Sequence, residues 1–276
     1  MKNINQLISI IIPVFNESES IGYLLDEVLN VMLSNKLNFE IVVVNDGSKD
    51  TTSTVLDELS IKIKELSVIT LRKNYGQTAA MAAGFDNAKG EIVITLDGDL
   101  QNDPNDIPNL VSQINEGYDL ICGWRYDRKD KLINRRIPSK IANKLIANVT
   151  GLKLHDYGCS LKAFKKEILD DMKLYGELHR FLPVLANIEG AKIKEIKVNH
   201  RSRKFGSSKY GIDRTFRVLM DLMTVWFMKK FLTRAMYGFG FDGIISILVS
   251  FVMSSYLLLI KIFGADIGNR ALLIFL

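Results

Sequence analysis

Up to about Gly211, short runs rich in isoleucine and valine alternate with longer amphipathic stretches. The short runs are typical of strands buried in a sheet, and the longer stretches repeat their apolar residues with the period of a helix. The predicted strands cover Ile8–Val14, Glu40–Val44, Val68–Leu71, Ile92–Leu96, Leu120–Cys122 and, later in the chain, Ala191–Asn199. This alternation predicts an α/β protein with a doubly wound, mostly parallel sheet.

The amphipathic stretches predict helices, several of which begin at residues with side chains suited to capping. Ser18 and Thr51 stand at two of these starts, where a hydroxyl group is expected to accept from an unpaired backbone N–H group. The predicted helices cover Ser18–Leu33, Thr51–Leu66, Gln77–Ala88, Ile107–Asn115, Ser139–Val149, Lys165–Met172 and Leu178–Ile188.

The hydrophobic pattern changes beyond Gly211. Gly243–Ile260 is a run of 18 residues without a charge, close to the minimum length of a transmembrane helix. Before it, Thr215–Leu232 mixes large apolar residues with basic ones, a composition typical of a helix that lies at a membrane interface. A buried helix pair in a soluble protein is the alternative, because the uncharged run is only just long enough.

The charges around this run predict its orientation. Basic residues are more numerous just before it than after it, so the N-terminal region is expected on the cytoplasmic face of the membrane. Met1–Gln6 is polar, and no signal peptide is expected there. The apolar residues 271–276 resemble the opening of a second span, and we expect the natural protein to continue through a helical hairpin.

Composition narrows the classes of protein that fit. The chain has 276 residues, of which 47% are hydrophobic and 24% charged, so it can bury a core of ordinary size. Its net charge of +5 is spread over many residues of both signs, which argues against a nucleic-acid partner. Cys122 and Cys159 lack metal-ligand spacing and are expected to be buried free thiols.

Polar residues follow three of the predicted strands. Asn16 and Glu17 follow the first strand, Asp46 the second, and Asp97-Gly98-Asp99 the fourth. Ligands of doubly wound sheets bind beyond the carboxyl ends of the strands, so these residues are expected to form one site. Neither a dinucleotide-binding glycine motif nor a Walker-type phosphate loop is present, which disfavours dehydrogenases and ATPases.

The aspartate pair has two interpretations. Asp97 and Asp99 flank one small residue, and their oxygens suit Mg²⁺ or Mn²⁺, which also binds substrate phosphates. As the alternative, turn carboxylates would cap the next helix. Asp46 supports the metal interpretation by adding a third carboxylate, although it would also serve as the cap of the helix beginning at Thr51.

Several motifs together resemble glycosyltransferase family 2. They are IIIPVFNE (Ile10–Glu17), VVNDGSKDTT (Val43–Thr52), NYGQTAAMAAGF (Asn74–Phe85) and TLDGDLQNDP (Thr95–Pro104). Within this family the chain resembles the polyprenyl-phosphate glycosyltransferases, which include dolichol-phosphate mannose synthase and bacterial undecaprenyl-phosphate sugar transferases. The resemblance continues through GWRYDRKD, RRIPSKIAN, DYGCSLKAF, LYGELHRF and HRSRKFGSSKY, between Gly123 and Tyr210.

The resemblance implies a Rossmann-like GT-A catalytic domain, which is expected over 1–210. The composition of the remaining residues predicts interfacial amphipathic helices over 211–234 and a transmembrane region over 235–276, with one full span at about 243–263 and the start of a second. The resemblance also implies a nucleotide-sugar donor, UDP-linked in preference to GDP-linked, a divalent metal (Mg²⁺ or Mn²⁺) and a polyprenyl-phosphate acceptor in the membrane. The sequence sets no oligomeric state, and a homo-oligomer is compatible with it.

Carried onto this chain, the resemblance implies roles for individual residues. Those expected to bind the nucleotide sugar are Pro13, Phe15, Glu17, Asp46, Asp97, Gly98, Asp99 and Arg125. Those expected to hold the metal are Asp97, Asp99 and Gln101. Those expected to meet the acceptor phosphate are Arg135, Ser139, Arg203 and Lys209. Asp156 joins Asp97 and Asp99 as a candidate catalytic residue near the reacting sugar, with the cap of a turn before Gly158 as its alternative role.

The implied acceptor predicts the chemistry. A lipid phosphate is already anionic, so its oxygen attacks the anomeric carbon without a general base, and direct displacement inverts that carbon. Two alternatives stay open. One is a family 2 enzyme that transfers sugar to a hydroxyl group in polysaccharide synthesis, which needs a general base, and the other is a non-catalytic nucleotide-binding membrane subunit.

Overall fold

The computed structural model describes residues 6–127, 137–170, 172, 174, 176, 178–205, 213–231 and 235–263, without the side chains of 137–142, 213–219 and 235–238. Two predicted phosphate-binding residues, Arg135 and Lys209, therefore lie outside the described residues. Of a third, Ser139, only the backbone is described. The predicted start of a second span at 271–276 also lies outside them.

A seven-stranded sheet forms the centre of the fold, with the strand order β3-β2-β1-β4-β6-β5-β7. The strands are β1 (Leu7–Val14), β2 (Asn38–Asn45), β3 (Leu66–Thr70), β4 (Ile92–Thr95), β5 (Leu120–Arg125), β6 (Lys162–Lys165) and β7 (Ile193–Val198). Only β6 runs antiparallel to its neighbours, β4 and β5. The predicted α/β fold with a mostly parallel sheet is confirmed, although the prediction missed the short strand β6.

Helices follow most of the strands. They are α1 (Ile21–Ser34), α2 (Thr52–Lys62), α3 (Gln77–Asn87), α4 (Ile107–Asn115), α5 (Ile137–Thr150), α6 (Lys166–Asp170), α7 (Leu182–Ile188), α8 (Asp213–Phe231) and α9 (Ala235–Ile262). The helix predicted over Leu178–Ile188 is instead a 3₁₀ turn, Leu178–Arg180, followed by α7. Pro183 lies in the first turn of α7, where its missing N–H group costs no hydrogen bond, and it therefore favours a new helix start there.

The core lies on both faces of the sheet. Along β1, Ile8, Ile10 and Ile12 pack on one face with residues of α1 and α4. Ile11 packs on the other face with residues of α3. Burial on both faces explains why the strand reads as a nearly continuous apolar run, as is typical of parallel sheets. Cys122 and Cys159 are buried free thiols as predicted, and burial raises their pKa values to about 12 and about 11.

The predicted helix caps at Ser18 and Thr51 are wrong. Neither α1 nor α2 has a side-chain cap bond from its N-cap residue, Ser20 or Thr51. The Ser18 hydroxyl donates instead to Asp50 at 2.9 Å, and Asp50 also accepts from the Thr52 N–H group at 3.0 Å. Asp50 thus accepts from an otherwise unpaired N–H group at the start of α2 and connects this helix to the loop after β1. A carboxylate two residues earlier in the chain can accept from such an N–H group as well as the hydroxyl of an N-cap residue can.

The chain divides into two compact units, Met1–Val225 and Trp226–Leu276. The second unit contains α9, in which the 24 residues Phe239–Ile262 include an 18-residue window with a mean hydropathy of 2.3, long and apolar enough to cross a membrane. In the same unit, Trp226, Phe227 and Phe231 pack with Phe239 in an aromatic cluster. Aromatic residues at the end of an apolar helix are typical of the membrane–water interface.

Candidate functional site

The loops after β1, β2 and β4 lie side by side because these three strands are adjacent and parallel in the sheet. The Asp46 N–H group donates to the Val14 carbonyl at 2.8 Å. The Asn16 N–H group donates to the Ser48 hydroxyl at 2.9 Å, and the Asn16 side chain accepts from the Lys49 N–H group at 2.8 Å. The three polar strand ends recognised in the sequence therefore form one edge of the sheet.

Tight backbone geometry holds this edge together. Gly47 has a φ of +64°, and a Cβ atom added there would lie 2.4 Å from the backbone carbonyl carbon of Lys73. Asn16 also adopts a positive φ, 52°, a region that asparagine tolerates because its side chain bonds locally. Glycine at position 47 thus lets the loop after β2 approach the segment before α3 directly.

Asp46 connects the loop after β2 to the start of α3. Its carboxylate oxygens accept from the N–H groups of Tyr75 at 2.7 Å and Gly76 at 2.9 Å. Burial raises the pKa of Asp46, although these two hydrogen bonds act to lower it. The Asp46 side chain does not cap α2, so the alternative role that the sequence suggested for it is wrong. The NYG sequence just before α3 is the signal that could have indicated its real partners, the N–H groups of Tyr75 and Gly76.

The aspartate pair lies beyond the end of β4. Asp97 accepts from the Gln77 side chain at 2.8 Å, and Asp99 accepts from the backbone N–H group of Gln101 at 3.2 Å and from Arg203 at 2.5 Å. Burial and the neighbouring charge of Asp97 raise the pKa of Asp99 to about 6, against the opposing effect of Arg203. The site therefore holds more negative charge than its own cation neutralises at neutral pH.

This donor set fits a divalent cation that is shared with a substrate. Among the described residues, no group of three or more His, Cys, Asp or Glu side chains gathers as a complete metal site. Mg²⁺ commonly takes one or two carboxylates together with substrate phosphates, which matches Asp97 and Asp99. Gln101 bonds Asp99 through its backbone N–H group, while its side-chain amide donates to the Arg201 carbonyl at 3.3 Å.

The segment 200–205 lies against the turn that carries Asp99. Asn102 and His200 form a β-bridge, and the Arg201 N–H group donates to the Gln101 carbonyl at 2.9 Å. The Arg201 guanidinium bonds Glu27 at 2.6 Å and Asp103 at 2.8 Å. Sequence reasoning selected Arg203 and missed Arg201, since nothing in the HRSR run indicates which arginine anchors the segment.

Asp156 and Arg125 form a bidentate ion pair. Nε of Arg125 donates to Oδ2 of Asp156 at 2.6 Å, and Nη2 donates to Oδ1 at 2.9 Å. The backbone N–H group of Gly158 also donates to Oδ1 at 3.2 Å, so Asp156 closes the turn that was weighed as its alternative role. Both carboxylate oxygens therefore bond to neighbouring groups of the chain.

The remaining predicted binding residues lie around the same edge. Pro13 is in β1, opposite Val44, and Phe15 and Glu17 follow that strand. Gly98 approaches β1 closely, because a Cβ atom there would lie 2.8 Å from the Val14 side chain. The structure thus places Pro13, Phe15, Glu17 and Gly98 at the edge that also carries Asp46 and the aspartate pair.

Solved structures identify the class of this fold. Glucosyl-3-phosphoglycerate synthase from Mycobacterium tuberculosis, in complex with Mn²⁺ and uridine-diphosphate-glucose, superposes with a TM-score of 0.62 over 82% of this chain and 79% of its own. The two sequences are 18% identical, so the likeness concerns the fold. Together with the mostly parallel sheet, this likeness shows that the fold is GT-A-like.

The family follows from sequence comparison. The family model of Glycosyl transferase family 2 matches residues 9–173, and the chain belongs to this family. The dodecaprenyl-phosphate galacturonate synthase of Rhizobium johnstonii is 44% identical over 273 residues, which are 96% of this chain and 80% of that protein. The undecaprenyl-phosphate 4-deoxy-4-formamido-L-arabinose transferase of Aeromonas hydrophila is 37% identical over 263 residues, 95% of this chain and 79% of that protein.

Proposed function

We propose that this glycosyltransferase transfers one sugar from a nucleotide sugar to a polyprenyl phosphate at a membrane. The observation that carries the proposal is what these two relatives share. Their names specify different sugars, galacturonate and formamido-arabinose, but both specify a polyprenyl-phosphate acceptor. The acceptor class is therefore the property that transfers best to this chain, and the sugar is left to experiment.

The donor would bind at the edge formed by the loops after β1, β2 and β4. We assign the nucleotide to Pro13, Phe15, Glu17 and Asp46, with Gly98 allowing close approach, and we favour a uridine nucleotide. Asp97 and Asp99, with Gln101 beside them, would hold Mg²⁺ or Mn²⁺. A divalent ion bound there neutralises the charge that develops on the leaving diphosphate.

The acceptor would meet cationic side chains at the same edge. The Arg203 guanidinium bonds Asp99, so it would lie beside a donor diphosphate bound through the aspartate pair. Arginine binds phosphate through paired, charge-assisted hydrogen bonds, which suits this position. We assign Arg135, Ser139 and Lys209 to the acceptor phosphate with Arg203, on the strength of the family motifs.

The geometry favours a phosphate acceptor over a hydroxyl acceptor. A hydroxyl acceptor needs a general base, and a carboxylate is the usual one in such a site. Asp156 is committed to Arg125, Asp99 bonds Arg203, and Asp97 accepts from Gln77. A lipid phosphate needs no deprotonation, so its attack on the anomeric carbon requires none of these carboxylates as a general base, and the attack inverts that carbon.

The membrane arrangement belongs to the same proposal. We propose a catalytic domain over 1–210 on the cytoplasmic face, interfacial helices over 211–234 and a membrane region over 235–276. The apolar length of α9 and the excess of basic residues before it support this arrangement.

Transfer of labelled sugar tests the proposal directly. The purified chain in detergent is incubated with undecaprenyl phosphate, Mg²⁺ or Mn²⁺, and a panel of radiolabelled UDP- and GDP-sugars. We expect label from one donor to enter the lipid phase, and EDTA or the substitution Asp99→Asn to abolish this transfer. Glu116→Gln, an exposed substitution away from the site, is the matched control and should retain it. Label in a water-soluble or polymeric product would contradict the proposal.

A further inference from the structure

Glu195 in β7 holds the backbone of the segment that carries Asp156. Its carboxylate accepts from the His155 N–H group at 2.9 and 3.0 Å and from the Asp156 N–H group at 2.9 Å. Its Oε2 atom also lies 2.7 Å from Nδ1 of the His155 ring. The Glu195 side chain is only 10% exposed, whereas its partner His155 is 66% exposed, so the carboxylate reaches the segment from the protein side.

Asp156 transmits this constraint to Arg125. The bidentate pair fixes the plane of the Arg125 guanidinium, and the Arg125 and Asp156 side chains are only 15% and 5% exposed. Arg125 is the last residue of β5, and β5 pairs with β7 in parallel register. A chain of hydrogen bonds from Glu195 through Asp156 to Arg125 therefore connects the edge strand β7 to a cation at the carboxyl end of the sheet.

The His155 ring is held in the same arrangement. It stacks on Trp124 with a centroid distance of 4.1 Å and an interplanar angle of 15°. Trp124 immediately precedes Arg125, so the stack and the ion pair hold neighbouring residues of β5. The Glu195 carboxylate accepts from two backbone N–H groups and the His155 ring through two oxygens. Glutamine at this position would offer only one accepting oxygen and could not keep all of these hydrogen bonds.

We propose that Glu195 is a positioning residue that orients Arg125 toward the phosphates of the donor by way of Asp156. Asp156 is then a positioning residue as well, rather than a group that contacts the sugar. The inference rests on the proposed function and on the expectation, implied by the family resemblance, that Arg125 binds the nucleotide sugar. Neither the motifs of the family nor the spacing of charges in the sequence indicates Glu195.

A double-mutant cycle with Glu195→Gln and Arg125→Ala tests the route of the effect. Glu195→Gln alone is expected to lower kcat/KM for the nucleotide sugar about tenfold, the size of effect typical of coupled neighbours. In the Arg125→Ala background the same substitution should change kcat/KM less than about twofold, because the cation that it orients is absent. Glu116→Gln, an exposed glutamate near Lys194, is the matched control and should have no effect in either background.

Trp124 fluorescence provides a readout that needs no transfer activity. The chain has two tryptophans, so in a Trp226→Phe background the signal comes from Trp124 alone. Glu195→Gln should release His155 from the Trp124 ring and increase quenching of that fluorescence by acrylamide, with thermal unfolding confirming that the variant is folded. If wild type transfers no sugar, the proposed function fails, and this measurement still decides whether Glu195 holds the segment.

Two results would overturn the inference. One is an equal loss of kcat/KM for Glu195→Gln with and without Arg125, which would mean that the effect does not pass through the guanidinium. The other is unchanged quenching of Trp124 in folded Glu195→Gln. Glu195→Asp serves as the second variant, because it keeps the charge and should restore part of the lost kcat/KM if Glu195→Gln is too unstable to measure.

Discussion

Asp99 combines burial, a like charge and a cation within one turn. Burial and the charge of Asp97 raise its pKa to about 6, from an ordinary value of 3.8. A carboxyl group with a raised pKa binds its proton more tightly in the folded chain, so its contribution to stability is present below about pH 4 and is lost as the pH rises to about 6. The position that would bind metal therefore weakens the metal-free fold at neutral pH.

Asp99→Asn should stabilise the metal-free protein at pH 7 while abolishing transfer. Asparagine cannot ionise, so the variant avoids a penalty on the order of 3 kcal/mol, the energy that corresponds to the pKa shift. Thermal unfolding in EDTA at pH 4.5 and pH 7 measures this effect. The melting temperature of wild type should fall more between the two pH values than that of the variant.

Asp119→Asn provides a control of opposite sign. Burial alone would raise the pKa of Asp119, but hydrogen bonds and charges from Lys165 and Lys192 lower it. Its stabilising contribution is therefore present at pH 7 and lost as the pH falls below about 4, so the substitution should lower the melting temperature at pH 7. If the melting temperature of Asp99→Asn at pH 7 is below that of wild type, the ionised Asp99 does not destabilise the metal-free fold, and this account of Asp99 is contradicted.

Glycine substitutions test the backbone at the element scale. Gly47→Ala should destabilise the fold by roughly 2 kcal/mol or more, because it combines a positive φ with a clash against the Lys73 backbone. Gly22→Ala in α1 meets no atom within 4 Å and should stabilise the fold by about 0.5–1 kcal/mol. Chemical unfolding of the two variants measures both effects, and equal stability of both would contradict the tight contact between the loop after β2 and Lys73.

Asp50 is expected to stabilise the start of α2 and the loop after β1 together. Asp50→Ala removes the acceptor of the Thr52 N–H group and of the Ser18 hydroxyl, and should cost about 1–2 kcal/mol. Thr51→Ala, the substitution that the sequence pattern would have selected, should cost less than about 0.5 kcal/mol, because its side chain makes no cap bond. A larger loss for Thr51→Ala in chemical unfolding would contradict the assigned cap.

Local patterns in the sequence predicted most elements, because burial on both faces of a parallel sheet leaves long apolar runs such as β1. They also predicted that the strand ends carrying Asp46 and Asp99 would meet, since parallel strands end at one edge. They could not predict Glu195 or Arg201, whose roles depend on contacts with residues 39 to 174 positions away. The short strand β6 was missed because it places a lysine, Lys162, in a buried position.

At the scale of the whole molecule, α9 is the test of membrane attachment. An arginine at the centre of a spanning helix costs about 2.5–3.5 kcal/mol, so Leu248→Arg with Phe251→Arg should shift the chain out of membranes in a flotation assay. Phe263→Arg, just past the end of α9, should leave the chain bound, because a basic residue there reaches the interface. A wild-type chain that stays with the soluble fraction would contradict attachment through α9, whose apolar window is only 6% buried within the protein.

The most direct test of the account is the mass and anomeric configuration of the lipid product. The chain is incubated with undecaprenyl phosphate and the donor that labels it, and the product is analysed by mass spectrometry and NMR. We predict a lipid heavier by one anhydro sugar, with a single phosphate between lipid and sugar, and with the anomeric configuration inverted from that of the donor. A product with two phosphates, retained configuration, or sugar on a hydroxyl group would contradict direct displacement by the lipid phosphate.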